Sequence, residues 1–236
     1  MIPQRHQTAQ DVRRHICEAR FGQARQTTDA FHRLFYERSH HTWGMTYWMR
    51  VPLLKNPLDL WIYQEIIAGL RPGLIIETGT AYGGSALFFA HMLDLVDREA
   101  DARVVSIDLD PAPTLPAHPR VTYLTGDSVS PAVLDVVRHM AAEAAPRPAM
   151  VVLDSDHRSF HVAAELHAYA AFVTPGSFLV VEDTNLNDRP VHEETGPGPF
   201  EALLSFLEEH PEFAPEPTCE KYLLSYQPGG WLRRAA

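Results

Sequence analysis

Cysteine is scarce in this chain. Cys17 and Cys219 are its two cysteines among 236 residues, and they form no CxxC pair. That scarcity excludes a cysteine zinc site and argues against a disulfide scaffold. Long apolar runs are missing as well, because no stretch of about eighteen uninterrupted apolar residues occurs, and we predict no membrane span. The polar N-terminal segment lacks the apolar core of a secretory signal, so we expect a cytoplasmic protein.

Positive charge is also in short supply. The chain has 20 Lys and Arg against 30 Asp and Glu, which gives a formal net charge of −10. Sequence-independent binding to nucleic acid and docking on anionic membranes both depend on basic surface. We therefore predict neither nucleic acid nor membrane as a partner. The length is sufficient for one large α/β domain with a hydrophobic core.

From residue 74 onward, strand-like and helix-like segments alternate. The runs AMVVLD (149–154) and SFLVVED (177–183) are apolar up to their acidic ends, which is typical of strands buried on both faces of a parallel sheet. The pattern predicts an α/β fold with three layers, α/β/α, around a doubly wound sheet. The expected strands are Leu74–Glu77, Val104–Asp108, Val121–Leu124, Met150–Asp154, Phe178–Glu182 and Tyr222–Tyr226. The expected helices lie near 85–97, 131–143, 161–172 and 199–209.

Residues 1–55 are predicted to form an N-terminal helical extension, and residues 56–236 the main domain. Scattered apolar positions over 9–38 indicate one or two amphipathic helices that lie on this domain. Their apolar faces can instead bury against a second subunit, so we expect a homo-oligomer.

The segment ETGTAYGGS (77–85) joins the first main strand to a helix. A dinucleotide fingerprint would read GxGxxG, whereas this segment reads E-x-G-x-x-x-G-G. Glu77 ends the strand where it can accept a hydrogen bond from an ammonium group. Asp108 ends the next strand, where an acid can accept from both hydroxyls of a ribose. A ligand with an amino-acid portion beside a ribose fits both positions, and S-adenosylmethionine is such a ligand.

Further contacts to this cofactor are expected around the same loop. Gly79 is expected to let the backbone approach the ligand, and the helix N-terminus to hold its carboxylate. Asp127 and Ser128 follow the third strand, where an adenine would sit. The competing interpretation is that the glycines only form a turn and that Glu77 is an ordinary strand-end acid. The predicted cofactor-binding residues are Glu77, Gly79, Thr80, Tyr82, Gly83, Ser85, Asp108, Asp127, Ser128 and Asp154.

Acidic residues end two further strands. Asp154 and Asp156 follow one strand, and Glu182 and Asp183 end the next. Crowded carboxylates repel one another unless protons or a cation intervene. Oxygen ligands suit a hard divalent ion, most simply Mg²⁺. The competing interpretation is a set of solvated strand-end acids.

A metal at this position would lower the pKa of a substrate hydroxyl. A nearby base would then take the proton, and Asp156 or His157 fits that role. His161, one helical turn later, is a weaker candidate. A surface or structural role is the competing interpretation for each histidine.

Together, ETGTAYGGSALF, VVSIDLD, LDSDH and LVVEDT resemble the family known as cephalosporin hydroxylase or rhamnosyl O-methyltransferase. The similarity runs from about Trp43 to the terminal KYLLSYQPGGWLRR. The resemblance implies a Rossmann-like, class I S-adenosylmethionine-dependent methyltransferase with seven strands. It also implies that the last strand, Tyr222–Tyr226, is antiparallel.

The resemblance further implies a divalent metal held by Asp154, Glu182 and Asp183. Asp156 is an alternative ligand in place of Asp154, and either Asp156 or His157 would be the base.

The implied activity is Mg²⁺-dependent O-methylation of a small molecule. The expected acceptor is a sugar hydroxyl on a glycosylated natural product, for example in antibiotic biosynthesis. A carboxylate or phenol acceptor, or a non-catalytic partner of a separate oxygenase, remains an alternative. Trp43, Tyr47, Trp48 and the 187–200 loop are expected to shape the acceptor site, with core packing as the competing role of the aromatic residues.

Overall fold

The computed structural model describes residues 25–96, 101–191 and 196–236. The strands are β1 (Tyr47–Trp48), β2 (Val51–Pro52), β3 (Leu74–Thr78), β4 (Arg103–Asp108), β5 (Val121–Thr125), β6 (Ala149–Leu153), β7 (Phe178–Val181), β8 (Phe213–Pro215) and β9 (Trp231–Arg234). The α-helices are α1 (Arg25–Glu37), α2 (Pro57–Leu70), α3 (Gly84–Val96), α4 (Pro131–Ala144), α5 (Ser159–Tyr169) and α6 (Pro199–Glu209).

Seven strands form one sheet in the order β5-β4-β3-β6-β7-β9-β8. Strands β3 to β7 run parallel to one another, and β9 runs antiparallel to both β7 and β8. The chain starts in the middle at β3, builds one half to β5 and then returns to build the other half. The predicted doubly wound sheet with an antiparallel last strand is confirmed.

Alternation along each strand divides the core into two layers. Ile75 and Val152 face α2 and α3, whereas Ile76 and Val151 face α4, α5 and α6. All four side chains are fully buried, as expected for a parallel sheet covered on both faces. The strands therefore place their carboxyl ends, and the polar residues that follow them, at one edge.

The expected strand at Tyr222–Tyr226 is wrong. This segment is irregular, and the antiparallel strand is β9, which follows it. The backbone N–H of Tyr226 donates to Asp59 Oδ2 at 2.9 Å instead of pairing in the sheet. Trp231 is fully buried, while Leu223 is 49% exposed, so the second apolar run and not the first fills the sheet.

Within residues 25–55, the N-terminal extension is helical only in part. After α1, two short 3₁₀ turns and the β1–β2 hairpin lead to α2. Asn56 begins α2 as its N-cap, because its side chain accepts from Leu58 N at 3.1 Å. Residues 1–24, which contain the first part of the predicted amphipathic segment, lie outside the described residues. The division at residue 55 remains a prediction. No helix within the described ranges has the length and apolarity needed to cross a membrane.

Candidate functional site

A cavity of about 570 Å³ lies at the carboxyl edge of the sheet. Its wall contains most of the residues predicted from the sequence. These are Gly79, Thr80, Tyr82, Ser85, Asp108, Asp127, Ser128, Asp154, Asp156, His157, His161, Glu182 and Asp183. Glu77 and Gly83 are not in the wall. The fold thus brings the glycine loop and the acidic strand ends into one site.

Glu77 lies behind the loop. It is fully buried, and its Oε2 accepts from Ser106 Oγ at 2.6 Å. Ser106 Oγ is also 2.7 Å from Thr80 Oγ1. Burial raises the pKa of Glu77 to about 7. Glu77 therefore supports the loop from behind, and its expected contact with an ammonium group stays a prediction.

Gly79 is required by the protein and not only by a ligand. Its φ is +89°, and a Cβ at this position would lie 1.8 Å from the carbonyl oxygen of Asp154. Gly84 has a similar constraint, since its Cβ would lie 2.1 Å from Pro52 O in the hairpin. Gly83 N donates to Thr80 O at 2.7 Å and closes the turn between them. These glycines let two strand ends and the hairpin approach the loop.

Asp108 fixes the loop and still faces the cavity. Its Oδ2 accepts from Ala81 N at 2.8 Å, and its Oδ1 accepts from Asp110 N at 2.9 Å. A carboxylate can accept about four hydrogen bonds, so capacity for a ribose remains. Asp127 is exposed and accepts one bond, from Val129 N at 3.1 Å.

Ser128 and His161 are engaged by a residue that the sequence did not single out. Glu165 is buried, and its Oε1 accepts from Ser128 Oγ at 2.5 Å. His161 Nε2 lies 3.3 Å from the same oxygen. This bond to Glu165 raises the pKa of His161. Both predicted residues line the cavity, but Glu165 orients them.

Asp154, His157 and Asp183 form a cluster between the ends of β6 and β7. One ligand atom from each lies within 4.8 Å of the others. His157 Nε2 is 3.1 Å from Asp183 Oδ2 and 3.5 Å from Asp154 Oδ1. Burial lowers the pKa of His157, but the charges of Asp183 and Asp154 outweigh that effect and raise it to about 10. The cluster therefore brings together oxygen and nitrogen atoms that can bind a metal ion.

Lys55 joins this cluster and was not predicted. Its side chain is 3% exposed, and its Nζ lies 2.6 Å from Asp154 Oδ2 and 2.5 Å from Glu182 Oε1. Tyr63 OH also donates to Glu182 Oε1, at 2.6 Å. Burial and the charge of Asp154 raise the pKa of Glu182 to about 8. Of the expected metal ligands, Asp154 and Asp183 come together with His157, and Lys55 engages one oxygen each of Asp154 and Glu182.

Pairing with Arg158 makes Asp156 a poor candidate for the base. Arg158 Nε lies 2.9 Å from its Oδ1 and 2.8 Å from its Oδ2. The bonds from Arg158 lower the pKa of Asp156 to about 2. A carboxylate with so low a pKa is a poor proton acceptor. Of the two bases that the sequence left open, His157 is the one that contacts Asp154 and Asp183, and the assignment of the base stays a prediction.

Of the three aromatic residues expected at the acceptor site, one lies at the cavity. Trp43 lines the cavity. Trp48 instead donates from Nε1 to His91 Nδ1 at 2.9 Å, and Tyr47 is 52% exposed outside the cavity. Tyr36 and Tyr226 line the wall unpredicted. The described part of the 187–200 loop is not in the wall, and residues 192–195 lie outside the description.

A sequence signal for Lys55 does exist. It is a single cation in the largely apolar segment VPLLKNP, directly before the α2 N-cap. A Lys in such a position needs a buried partner. Tyr226 had no comparable signal, because it was assigned to a strand.

Comparison with known proteins identifies the family of this chain. The model of the family "Rhamnosyl O-methyltransferase/CmcI" matches residues 40–235. A rhamnosyl O-methyltransferase of Mycobacterium leprae is 37% identical over 186 residues, which cover 78% of this chain and 79% of the relative. One of Mycobacterium bovis is 35% identical over 188 residues, covering 78% and 74%.

Solved structures show the same fold. A CmcI structure described as Mg-SAM superposes with a TM-score of 0.62 at 22% identity, covering 82% of this chain and 78% of CmcI. A CmcI structure with SAH gives a TM-score of 0.53 at 17% identity, covering 80% and 81%. The resemblance noted from the sequence is confirmed: the chain belongs to the rhamnosyl O-methyltransferase/CmcI family.

Proposed function

We propose that this chain is an S-adenosylmethionine-dependent O-methyltransferase that uses Mg²⁺ to methylate a sugar hydroxyl on a glycosylated natural product. One observation carries the proposal. A single cavity has the glycine loop with Asp108 and Asp127 on one side and the Asp154–His157–Asp183 cluster on the other. The names of the relatives, rhamnosyl O-methyltransferase, and the Mg-SAM and SAH bound by CmcI support it.

The residues present fit a nucleoside cofactor. Asp108 lies at the end of β4 with accepting capacity left for ribose hydroxyls. The N-terminus of α3 follows the loop directly, and its N–H groups attract a carboxylate. Ser85, buried in the first turn of α3, lines the cavity. The site therefore offers partners to the two ends of S-adenosylmethionine.

The cluster at β6 and β7 also fits a divalent cation. Mg²⁺ prefers oxygen ligands, so we assign to it the carboxylates of Asp154 and Asp183 and the second oxygen of Glu182. When bound, the ion polarises an acceptor hydroxyl and lowers its pKa. Lys55 would keep the remaining charge of Asp154 and Glu182 balanced.

His157 is then the proton acceptor. It lies against both Asp154 and Asp183, the carboxylates that would hold the ion. In the transfer, the acceptor oxygen forms a bond to the methyl carbon and the carbon–sulfur bond breaks. The sulfur keeps the electron pair, and the hydroxyl proton passes to His157. A divalent ion held by Asp154 and Asp183 would oppose the charges that raise the pKa of His157, and would thereby favour the neutral imidazole that accepts a proton.

An oligomer also belongs to the proposal. Phe31 and Leu34 on α1 are 53% and 52% exposed. Apolar side chains exposed on one helix favour contact with a second copy.

The proposal is tested by calorimetric titration with S-adenosylmethionine and S-adenosylhomocysteine, with and without Mg²⁺. We expect micromolar binding of both. Substitution Asp108→Asn should weaken it, while Asp135→Asn, an exposed acid on α4, should not. Absence of binding by either compound would refute the cofactor assignment.

A further inference from the structure

Three aromatic side chains form one wall of the cavity. We call Tyr36, Trp43 and Tyr226 the aromatic wall. The rings of Tyr36 and Trp43 stack with centroids 5.2 Å apart. Tyr226 meets both rings edge-on, at 5.4 Å from Tyr36 and 6.1 Å from Trp43. All three line the same cavity as the acidic cluster.

The aromatic wall is held from behind. Trp43 Nε1 donates to the carbonyl of Tyr36 at 2.9 Å. The ring of His32 stacks on Tyr226 with centroids 5.4 Å apart. The backbone of Tyr226 is tied to Asp59 and to Asn185, at 2.9 and 3.2 Å. Rings fixed in this way lose little freedom when a ligand packs on them.

Its position separates it from the cofactor side. The loop and Asp108 lie over β3 and β4, whereas Asn185 and the Tyr226 backbone meet just beyond the end of β7. The end of β6, with Asp154, lies between these two places because β6 separates β3 from β7 in the sheet. A second ligand on the aromatic wall would therefore meet the cofactor at the acidic cluster.

The hydroxyl of Tyr226 also points to a ligand. The side chain is 4% exposed, and within residues 25–96, 101–191 and 196–236 its OH has no hydrogen-bond partner. Buried hydroxyl groups nearly always have a partner. Tyr226 lines the same cavity as Asp154, His157 and Asp183. An O–H donor without a partner, beside a reaction centre, indicates a ligand oxygen.

We propose that the aromatic wall is the acceptor subsite: its rings pack against the C–H face of a neutral pyranose, and the Tyr226 hydroxyl donates a hydrogen bond to an oxygen of that sugar. This inference rests on the proposed function. Aromatic faces bury the apolar side of a ligand, and the acidic residues that line the cavity disfavour an anionic ligand. Two cationic side chains at the cavity, Lys55 and Arg158, are already paired with carboxylates.

The experiment measures KM and kcat for p-nitrophenyl α-L-rhamnopyranoside with S-adenosylmethionine and Mg²⁺. Tyr226→Phe removes only the donor, and Tyr222→Phe makes the same change outside the cavity, where the hydroxyl lies 3.5 Å from Glu65 Oε1. Trp43→Ala removes stacking area, and Trp61→Ala does so at a residue that is 58% exposed on α2. A second readout is the calorimetric Kd for S-adenosylhomocysteine. A third is saturation-transfer NMR of the same rhamnoside with the S-adenosylhomocysteine-bound protein.

We expect Tyr226→Phe and Trp43→Ala each to raise KM about tenfold, which corresponds to about 1.4 kcal/mol. Their Kd for S-adenosylhomocysteine should stay within about twofold of wild type. Both control variants should keep the wild-type KM, and Trp43→Ala should lose most of the saturation transfer.

Other outcomes separate the two proposals. An unchanged KM in both wall variants overturns the subsite. A loss of S-adenosylhomocysteine binding in them also overturns it, because the wall would then serve the fold. Wild-type protein that binds S-adenosylhomocysteine but neither binds nor methylates the rhamnoside overturns the sugar subsite alone. Wild-type protein that binds no S-adenosylhomocysteine refutes the proposed function itself.

Discussion

Lys55→Met is expected to destabilise the protein strongly. The Lys55 ammonium is buried between Asp154 Oδ2 at 2.6 Å and Glu182 Oε1 at 2.5 Å. Methionine has similar length but no charge, so the variant leaves buried carboxylates without their cation. Removing one partner of a buried ion pair typically costs about 3–5 kcal/mol. We expect the free energy of unfolding to fall by about that amount at pH 8.

The loss should depend on pH and on Mg²⁺. Without the ammonium, burial favours the neutral carboxyl form, so the folded variant binds protons that the unfolded chain does not. The variant should therefore regain stability as the pH falls from about 8 to about 5, where these carboxyls are protonated. Mg²⁺ should stabilise it at pH 8 by supplying positive charge to the same carboxylates.

Urea unfolding followed by circular dichroism measures these differences. Lys221→Met is the matched control, since Lys221 pairs with Glu65 on the surface, and this pair should contribute little. The reasoning is refuted if Lys55→Met unfolds at the wild-type urea concentration at pH 8. It is also refuted if the loss is the same at pH 5 and pH 8.

Three further predictions concern the loop, the pH dependence and the cluster. Gly79→Ala should lower the urea midpoint and the affinity for S-adenosylmethionine, because the new Cβ would lie 1.8 Å from Asp154 O. Gly176→Ala is the control, since Gly176 has a similar φ of +81° but open space around it. Equal losses in both variants would contradict the packing argument. The pKa of Glu77 is raised by burial from 4.5 to about 7, so between these values the folded state holds a proton that the unfolded state has lost, and stability should fall as the pH rises. Glu77→Gln should therefore show a smaller fall in the urea midpoint between pH 5 and pH 8. A fall as large as that of the wild type would contradict the role of Glu77. Asp183→Asn should abolish methyl transfer and weaken Mg²⁺ binding in calorimetry while circular dichroism stays unchanged, and full activity in this variant would exclude Asp183 as a ligand.

Most of the sheet could be predicted because its strands are buried on both faces. Continuous apolar runs such as 149–153 leave little choice of structure, and their acidic ends mark the edge at which the site forms. The last strand was misplaced because Tyr222–Tyr226 is the more apolar of the two segments, whereas Trp231–Arg234 has two apolar residues followed by two arginines. Their difference is tertiary: Tyr226 packs on α1 and bonds to Asp59, and local periodicity contains neither contact.

The candidate site was predictable in its residues and less so in their roles. Strand ends brought Asp108, Asp154 and Asp183 to one cavity, as parallel topology requires. The role of Gly79 and the engagement of Glu182 depend on distances between segments far apart in the chain. Lys55 contacts residues 99 and 127 positions away, so no local pattern could identify its partners.

Methyl transfer to a rhamnoside tests the central claim most directly. The protein would be incubated with S-adenosylmethionine, Mg²⁺ and p-nitrophenyl α-L-rhamnopyranoside. The products would be separated by liquid chromatography and quantified by mass spectrometry. We predict a singly O-methylated rhamnoside together with an equal amount of S-adenosylhomocysteine, and neither product with Asp183→Asn or after metal chelation. Protein that binds S-adenosylmethionine but forms no methylated sugar, or forms it equally well without metal, would contradict the proposed metal-assisted transfer to a sugar hydroxyl.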